Sequence, residues 1–406
     1  MNYTYIEGSV TSAKGFTASG VHCGIRKNKS KRDLALIFCE KKCTAAAVYT
    51  TNLVKSSPIT VTKQNLANGF AQAVICNSGN ANTCNADGME KAAEMCRLTA
   101  EKLGISADDV IVGSTGVIGQ VLPIEPIRDS MKQIVSELSK DGAPNAAEAI
   151  MTTDTVPKEV AVQTTIAGKT VTIGGISKGS GMIHPNMATM LCFVTTDAAI
   201  SAEMLQKAVK DAADKTFNMI SIDGDTSTND MLSVMASGLA ENPEITEENE
   251  DYALFSEALT GVCKGLARMM AKDGEGATKL LTCKVSGAKT EKDAKGVAKS
   301  VICSSLLKAA MFGADANWGR VLCAIGYSGC DVDVQKVDVS FASAAGKIDV
   351  CKNGAGIDFS EETAKTILTE DEIDILVNLN DGEGYAESYG CDLTYEYVKI
   401  NGDYRT

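Results

Sequence analysis

The chain of 406 residues is long enough for two domains, and 44% hydrophobic residues are ample for a buried core. Its 39 basic and 52 acidic side chains leave a net charge of −13, and 5% of the residues are aromatic. Because a negative field repels phosphate backbones and few rings can stack on bases, we expect no nucleic-acid partner. No run reaches the roughly 18 apolar residues of a membrane span, and the first residues carry no targeting pattern, so we expect a cytoplasmic protein without a membrane partner.

The use of cysteine and histidine restricts the metal and nucleophile chemistry open to the chain. Its 14 cysteines include no CxxC pair, which favours reduced thiols. Cys39 and Cys43 are interpreted as small buried residues rather than metal ligands. Because His22 and His184 are the only histidines, a His-rich metal site is excluded and we expect no metal. A Ser-His-Asp triad would have to use one of these two histidines.

The predicted elements alternate between helix and strand. In chain order, apolar spacing and capping residues predict helices at 89–103 and 126–138, strands at 170–176 and 190–194, helices at 201–212 and 254–270, and strands at 280–285, 337–341 and 347–351. The acidic run at 241–251 is interpreted as a solvated loop and helix entry. This alternation favours an α/β fold of layered sheets covered by helices.

The segment at 174–194, GGISKGSGMIHPNMATMLCFV, is irregular before it enters a predicted strand. Its four glycines, proline and asparagine disfavour a regular element over the first part. Thr189 stands at the junction with the strand. By these residues alone, Thr189 is either an ordinary residue at a strand entry or a nucleophile.

The shortage of histidines gives the nucleophile interpretation of Thr189 a chemical basis. A threonine hydroxyl is a poor nucleophile unless a base takes its proton, and the residue's own α-amine can do so. An α-amine titrates at about 7.7 to 8.0, so part of it is neutral near pH 7. The amine becomes free only if the bond between Ala188 and Thr189 breaks. The strained, glycine-rich approach can present the Ala188 carbonyl to the hydroxyl for an N-to-O acyl shift, and hydrolysis of that ester leaves two chains.

Seven motifs resemble one family of enzymes. KGSGMIHPNMATML at 178–191 resembles the self-cleavage motif of the glutamate N-acetyltransferases, also called ornithine acetyltransferases. The other motifs resemble the same family in the same order: GSTGVIG at 113–119, MTTDT at 151–155, DGDTSTND at 223–230, DGEGATK at 273–279, GADANWGR at 313–320 and GCDLTYEYVKINGDYRT at 390–406. This resemblance spans nearly the whole chain and favours the nucleophile interpretation of Thr189. It implies an ornithine acetyltransferase-like α/β sandwich, in which the sheets are enclosed by helices.

The resemblance also implies catalytic residues. Cleavage would fall between Ala188 and Thr189, and Thr189 would become the N-terminal nucleophile. The Thr115 hydroxyl and the Gly116 N–H would form the oxyanion hole, since a glycine-rich turn can expose N–H groups to a developing negative oxygen. Without the family, Thr115 and Gly116 also fit a tight turn.

The resemblance implies a set of substrate contacts as well. These are Thr152, Lys178, Thr189, Glu275, Asn401 and Thr406. The charges of Lys178 and Glu275 complement the carboxylate and ammonium groups of an amino acid. Without the family, Lys178 also fits a surface or Schiff-base lysine, and Glu275 a solvated loop residue. A contact from Thr406 requires the tail to fold back, and the apolar and aromatic run at 393–398 predicts a final strand there.

The implied function is acetyl transfer in the cyclic pathway of arginine biosynthesis. The chain would divide into 1–188 and 189–406 and assemble as an α2β2 heterotetramer. It would move the acetyl group of N2-acetylornithine to glutamate through an acetyl-enzyme at Thr189. No cofactor is expected. Some members of the family also accept acetyl-CoA as the acetyl donor, and no residue pattern decides its use here.

Two alternative functions remain open at this point, and three sequence features have no catalytic role assigned. A self-processing N-terminal-nucleophile aminopeptidase or amidase would use the same nucleophile but resolve the acyl-enzyme with water. A non-enzymatic assembly subunit would remain one uncleaved chain. We interpret Trp318 as a core or interface anchor, the DGDTSTND motif as a polar turn that supports the site, and His184 as structural.

Overall fold

In the computed structural model, which describes residues 1–184 and 190–403, strands and helices alternate along the chain. The strands are β1 Tyr3–Ile6, β2 Phe16–Val21, β3 Leu34–Tyr49, β4 Phe70–Asn80, β5 Val110–Val117, β6 Lys158–Ile166, β7 Lys169–Lys178, β8 Leu191–Thr196, β9 Ile220–Ser221, β10 Met231–Ala236, β11 Leu280–Ala288, β12 Asp338–Ser343, β13 Gly346–Lys352, β14 Ala355–Gly356, β15 Glu372–Asn378 and β16 Gly384–Cys391. The α-helices are α1 Ser57–Asn65, α2 Gly88–Leu103, α3 Ile124–Ser136, α4 Ala143–Ile150, α5 Ala202–Lys215, α6 Glu250–Lys272, α7 Glu291–Cys303, α8 Ser305–Phe312, α9 Trp318–Gly326, α10 Glu361–Thr369 and α11 Tyr395–Gly402.

The described strands form two mixed sheets. The larger sheet has nine strands in the order β1-β6-β7-β8-β10-β3-β4-β5, with β2 paired to β3. The smaller sheet has seven strands in the order β14-β13-β12-β15-β11-β16-β9. Parallel pairs, such as β4 with β5 and β8 with β10, occur beside antiparallel ones. The predicted α/β fold of layered sheets enclosed by helices is confirmed.

Helix α6 connects the two sheets. It packs against β6 and β7 of the larger sheet and contacts β11 and β16 of the smaller one. The Asn249 side chain caps its first turn by accepting from the Tyr252 N–H, and Phe255, Leu259 and Leu266 are fully buried at helical spacing. The end of α6 at Lys272 therefore has a fixed position, and the residues that follow it enter the candidate site.

The helices predicted from periodicity are confirmed, with shifts at their ends. Ser201 caps α5 as expected, accepting from the Met204 N–H. The helix predicted to start at Pro126 starts at Ile124. Proline is tolerated in the first turn because the N–H groups there have no partner within the helix.

The prediction of a final strand at 393–398 is wrong, because Tyr395–Gly402 is the helix α11. A short apolar run does not distinguish a strand from a helix by itself. Here the Thr394 hydroxyl donates to the Gly276 carbonyl at 2.7 Å, and the chain turns at this point into the helix. Through Thr394 and Asn401 the described part of the tail still contacts the body of the protein, whereas Thr406, for which the fold-back was expected, lies outside the described residues.

Several other sequence features can be located in the structure. All 14 cysteines lie in the described residues and are free thiols, and Cys39 and Cys43 are buried. Trp318 packs against the core of the smaller sheet, in agreement with an anchoring role. Over residues 1–184 and 190–403, no group of three or more candidate ligands is arranged around a metal position. In the same ranges, no helix is both long and apolar enough to cross a membrane.

Candidate active site

A pocket of about 320 Å³ lies where several strands of the larger sheet end or begin. Thr115 and Gly116 reach it near the end of β5, and Lys178 is the last residue of β7. Glu275 follows α6, and Asn401 lies on α11. The volume falls within the range of small-molecule sites.

Most of the residues predicted for the site line this one pocket. They are Thr115, Gly116, Thr152, Lys178, Glu275 and Asn401. The predicted residues Ala188, Thr189 and Thr406 lie outside the described residues. Met190, which follows Thr189 in the chain, lines a small cavity together with Thr115 and Lys178. The grouping brings distant segments of sequence together, and the individual roles remain predictions.

The end of β5 has an irregular backbone that requires glycine. Gly116 has φ +130°, and a Cβ at this position would lie 2.4 Å from the carbonyl carbon of Gly79. The pairing of β5 with β4 shifts here, so that Asn80 faces both Thr115 and Val117. A bulge of this kind redirects the chain at a sheet end and often borders an active site.

We expect Gly116→Ala to destabilise the protein and to reduce its activity. The Cβ must displace the backbone of β4, and an L-residue with this φ adds about 1–3 kcal/mol of strain. The matched control is Gly119→Ala, because Gly119 also has a positive φ but has no atom within 4 Å of the added Cβ. The difference between the two free energies of unfolding, measured in denaturant, should isolate the steric clash. Equal losses would show that the clash relaxes without consequence.

Asn229, in the DGDTSTND motif, holds the β5 end in place. Its side-chain amide donates to the carbonyls of Ala81 and Ser114, both at 2.7 Å. Its side-chain oxygen accepts from the Thr83 hydroxyl at 2.8 Å. Asn229 is buried and lines the pocket. The motif therefore supports the site as interpreted, but the sequence did not single out this residue.

Glu275 is a buried residue that forms hydrogen bonds through both its side chain and its main chain. Asn401 donates from its side-chain amide to Glu275 Oε2 at 2.7 Å, and the Glu275 N–H donates to the Ser180 carbonyl at 2.8 Å. A Cβ on Gly181 would lie 2.3 Å from the Glu275 carboxyl carbon. The absence of a side chain at Gly181 thus lets the carboxylate lie directly against the glycine-rich segment.

Asp154 is a second buried carboxylate, and sequence analysis missed it although it lies in the MTTDT motif. It accepts from the N–H groups of Thr152 at 2.9 Å and Gly179 at 2.6 Å. Burial alone would raise the pKa of Asp154, but the ammonium groups of Lys178 and Lys158 and these hydrogen bonds hold it below its usual value. Asp154 is therefore an anion beside the cationic part of the pocket.

Asp230 is a third buried acid, and its pKa shifts in the opposite direction from that of Asp154. It is 2% exposed, and one of its carboxyl oxygens has no hydrogen-bond partner among the described residues. Burial raises the pKa of Asp230 well above its usual value, although Ser227 and Lys178 oppose the shift. Asp230 lines the same small cavity as Met190. Asp230 therefore favours its protonated form more than an exposed aspartate does, and it lies close to the residue that follows Thr189.

His184 lies between Ser221 on β9 of the smaller sheet and Cys303 at the end of α7. Its Nδ1 lies 3.1 Å from Ser221 Oγ and 3.4 Å from Cys303 Sγ, and its carbonyl accepts from the Thr226 hydroxyl at 2.8 Å. Burial, helped by the Lys299 ammonium, lowers the pKa of His184 to about 4. A neutral ring in these contacts agrees with the structural role expected from the sequence.

The fold and the pocket together define a class of protein. Two sheets are covered by helices, and one pocket collects a hydroxyl, an ammonium group and a carboxylate. Such groups bind the charged parts of an amino acid and stabilise a developing oxyanion. The fold and the pocket are therefore those of an α/β protein with a small-molecule site suited to an amino acid.

Comparison with known proteins identifies the family. Residues 17–406 match the ArgJ family, so the chain belongs to that family. It is 52% identical over 402 residues to the arginine biosynthesis bifunctional protein ArgJ of Caldanaerobacter subterraneus subsp. tengcongensis, covering 99% of each chain. The ArgJ of Symbiobacterium thermophilum is 50% identical, covering 99% of this chain and all of its own. A crystal structure of ArgJ from Bacillus halodurans is 50% identical with a TM-score of 0.50, and covers 52% of this chain and 98% of that chain. The resemblance found in the sequence is confirmed.

Proposed function

We propose that the protein is an ornithine acetyltransferase of arginine biosynthesis, which transfers the acetyl group of N2-acetylornithine to glutamate. One observation carries this proposal: Lys178 and Glu275 line the same pocket as Thr115 and Gly116. A site for both charges of an amino acid is thus adjacent to a candidate oxyanion hole. The names of the ArgJ relatives, arginine biosynthesis bifunctional proteins, support it further.

The proposed reaction proceeds by two acyl transfers. The Thr189 hydroxyl attacks the acetyl carbonyl while the α-amine of Thr189 takes its proton. The Thr115 hydroxyl and the Gly116 N–H stabilise the oxyanion of the tetrahedral intermediate. Its collapse breaks the C–N bond, and the proton passes to the leaving amine of ornithine. The amine of glutamate then attacks the acetyl-enzyme, which releases N-acetylglutamate and restores the Thr189 hydroxyl.

The nucleophile requires cleavage of the chain into 1–188 and 189–406, which we propose to assemble as α2β2. The solved Bacillus halodurans ArgJ chain supports the cleavage, because 98% of that chain is matched while it accounts for 52% of this one. A polypeptide of about half length is what cleavage near the middle of the chain would produce. Denaturing mass spectrometry and the mass of the native assembly test the two statements separately.

The word bifunctional in the names of the relatives supports a second activity. We propose acetyl-CoA as the alternative acetyl donor to the same threonine. In this reaction the thiol of coenzyme A leaves in place of ornithine. Formation of N-acetylglutamate from acetyl-CoA and glutamate, without ornithine, would test it.

Transfer to glutamate is expected to exceed hydrolysis. An amine held between Lys178 and Glu275 has a large effective concentration relative to bulk water. Cleaved protein with labelled N2-acetylornithine and saturating glutamate should therefore give labelled N-acetylglutamate rather than free acetate. Lys178→Ala and Glu275→Ala should each weaken this transfer strongly, whereas Lys284→Ala, on the smaller sheet, should not. If acetate were the main product, the protein would be a hydrolase of the aminopeptidase or amidase kind.

A further inference from the structure

A fully buried lysine lies next to the pocket without lining it. The Lys158 side chain has no exposed surface, and its ammonium lies 2.7 Å from Asp154 Oδ1 and 2.6 Å from Asp273 Oδ2. Its third acceptor is the Val156 carbonyl at 3.3 Å. The three donors of one ammonium group therefore have three acceptors. We call Asp154, Lys158 and Asp273 the buried triad.

The carboxylates of the buried triad accept hydrogen bonds from main-chain N–H groups of separate segments. Asp154 accepts from the N–H groups of Thr152 and Gly179, which directly follows Lys178. Asp273, at the end of α6, accepts from the Thr155 N–H at 3.0 Å and from the Thr155 hydroxyl. The three proposed substrate contacts are therefore all close to the triad in the chain. Thr152 itself donates to Asp154, Lys178 precedes Gly179, which also donates to Asp154, and Glu275 lies two residues after Asp273 in the same loop.

A purely stabilising role does not account well for such an arrangement. Moving a charge out of water costs several kcal/mol per ion, and a buried ion pair often contributes little to stability relative to apolar residues. The best-documented benefit of buried charges is that they fix one register among alternatives. Here the triad connects three segments of the chain, two of which bring the opposite charges of Lys178 and Glu275 to one pocket.

We propose that Asp154, Lys158 and Asp273 are positioning residues that set the spacing of Thr152, Lys178 and Glu275, and so determine the affinity of the pocket for an amino acid with both carboxylate and ammonium groups. The inference rests on the proposed function and deepens it. The triad does not touch the substrate. It keeps the two charged contacts at the separation that the substrate requires, so a misplacement of either contact weakens the binding of both charged groups of the substrate.

The test is Lys158→Met, which removes the ammonium and retains a long side chain. The KM for N2-acetylornithine and for glutamate should rise at least about tenfold, while kcat at saturation falls much less. Ornithine should also raise the Tm of the variant less than it raises the Tm of the wild type. The matched control is Lys284→Met, which breaks the partly exposed pair of Lys284 with Asp374 at 2.6 Å on the smaller sheet. A structural role alone would lower the Tm without ligand and leave both KM values unchanged.

A second variant decides the question if Lys158→Met does not fold. Thr155→Val removes the hydroxyl that donates to Asp273 and leaves every charge in place. Thr155 is exposed and does not line the pocket, so folding should be retained, and we expect KM to rise about threefold. Wild-type KM values in folded Lys158→Met, or in Thr155→Val if that variant alone folds, would overturn the proposal. If the wild type transferred no acetyl group, the proposed function would fail, and the Tm shift with ornithine would still test the triad.

Discussion

Replacing Thr189 with alanine should leave one uncleaved chain that transfers no acetyl group. The N-to-O acyl shift needs the hydroxyl to form the ester, and without the shift no α-amine is released to act as the base. Both the maturation and the reaction therefore depend on the same oxygen atom. We expect turnover to fall by about 10⁴-fold or more, since loss of a nucleophile removes the covalent route altogether. Denaturing mass spectrometry measures the cleavage, and labelled acetyl transfer measures the turnover.

The control for this variant is Thr189→Ser, which retains a hydroxyl on the same carbon. It should be cleaved, though more slowly, and should keep measurable transfer. A Thr189→Ala chain that separates into residues 1–188 and 189–406, or that transfers acetyl groups at the wild-type rate, would refute the proposed nucleophile.

The second large effect is expected for Thr115→Ala. If its hydroxyl donates to the tetrahedral oxygen, its loss should lower kcat by about 10²- to 10³-fold. The KM for N2-acetylornithine should change little, because the donor acts mainly in the transition state. Steady-state kinetics of the cleaved variant separate the two constants. Maturation should also slow, because cleavage passes through a similar oxyanion.

Thr99→Ala is a matched control for Thr115→Ala. The Thr99 hydroxyl is buried and donates to the Met95 carbonyl within α2, away from the pocket lining. The same chemical change there should lower stability with little effect on kcat. A cleaved Thr115→Ala enzyme with the wild-type kcat would mean that Thr115 only forms the end of β5.

Most of the regular elements could be predicted because each buries one face. In α6, for example, Phe255, Leu259 and Leu266 repeat at helical spacing and are fully buried, so local sequence determines the element. The tail could not be assigned in this way, because Tyr395 and Val398 of α11 are 83% and 68% exposed. Its conformation follows from a contact with Gly276, more than a hundred residues earlier.

The site could be predicted through the resemblance of its motifs, but the residues that support it could not. Asn229 binds the carbonyls of Ala81 and Ser114, which are 148 and 115 residues away in sequence. Lys158 in a sequence has the character of a surface lysine, and its burial depends on Asp273 at the end of a distant helix. Pairings of this length depend on the sheet order, which composition and periodicity do not determine.

The docking of α11 has a consequence for how the protein can be engineered. Met190 lines the small cavity and Asn401 lines the pocket, and Thr115 and Lys178 line both, so described segments near the two ends of the proposed second polypeptide lie close together. A fusion partner or affinity tag on either end of that polypeptide would compete with substrate for space. The start of the chain is different, because β1 is an edge strand of the larger sheet and Met1 is 93% exposed. Immobilisation through this end should leave the pocket open to acetyl donors and acceptors.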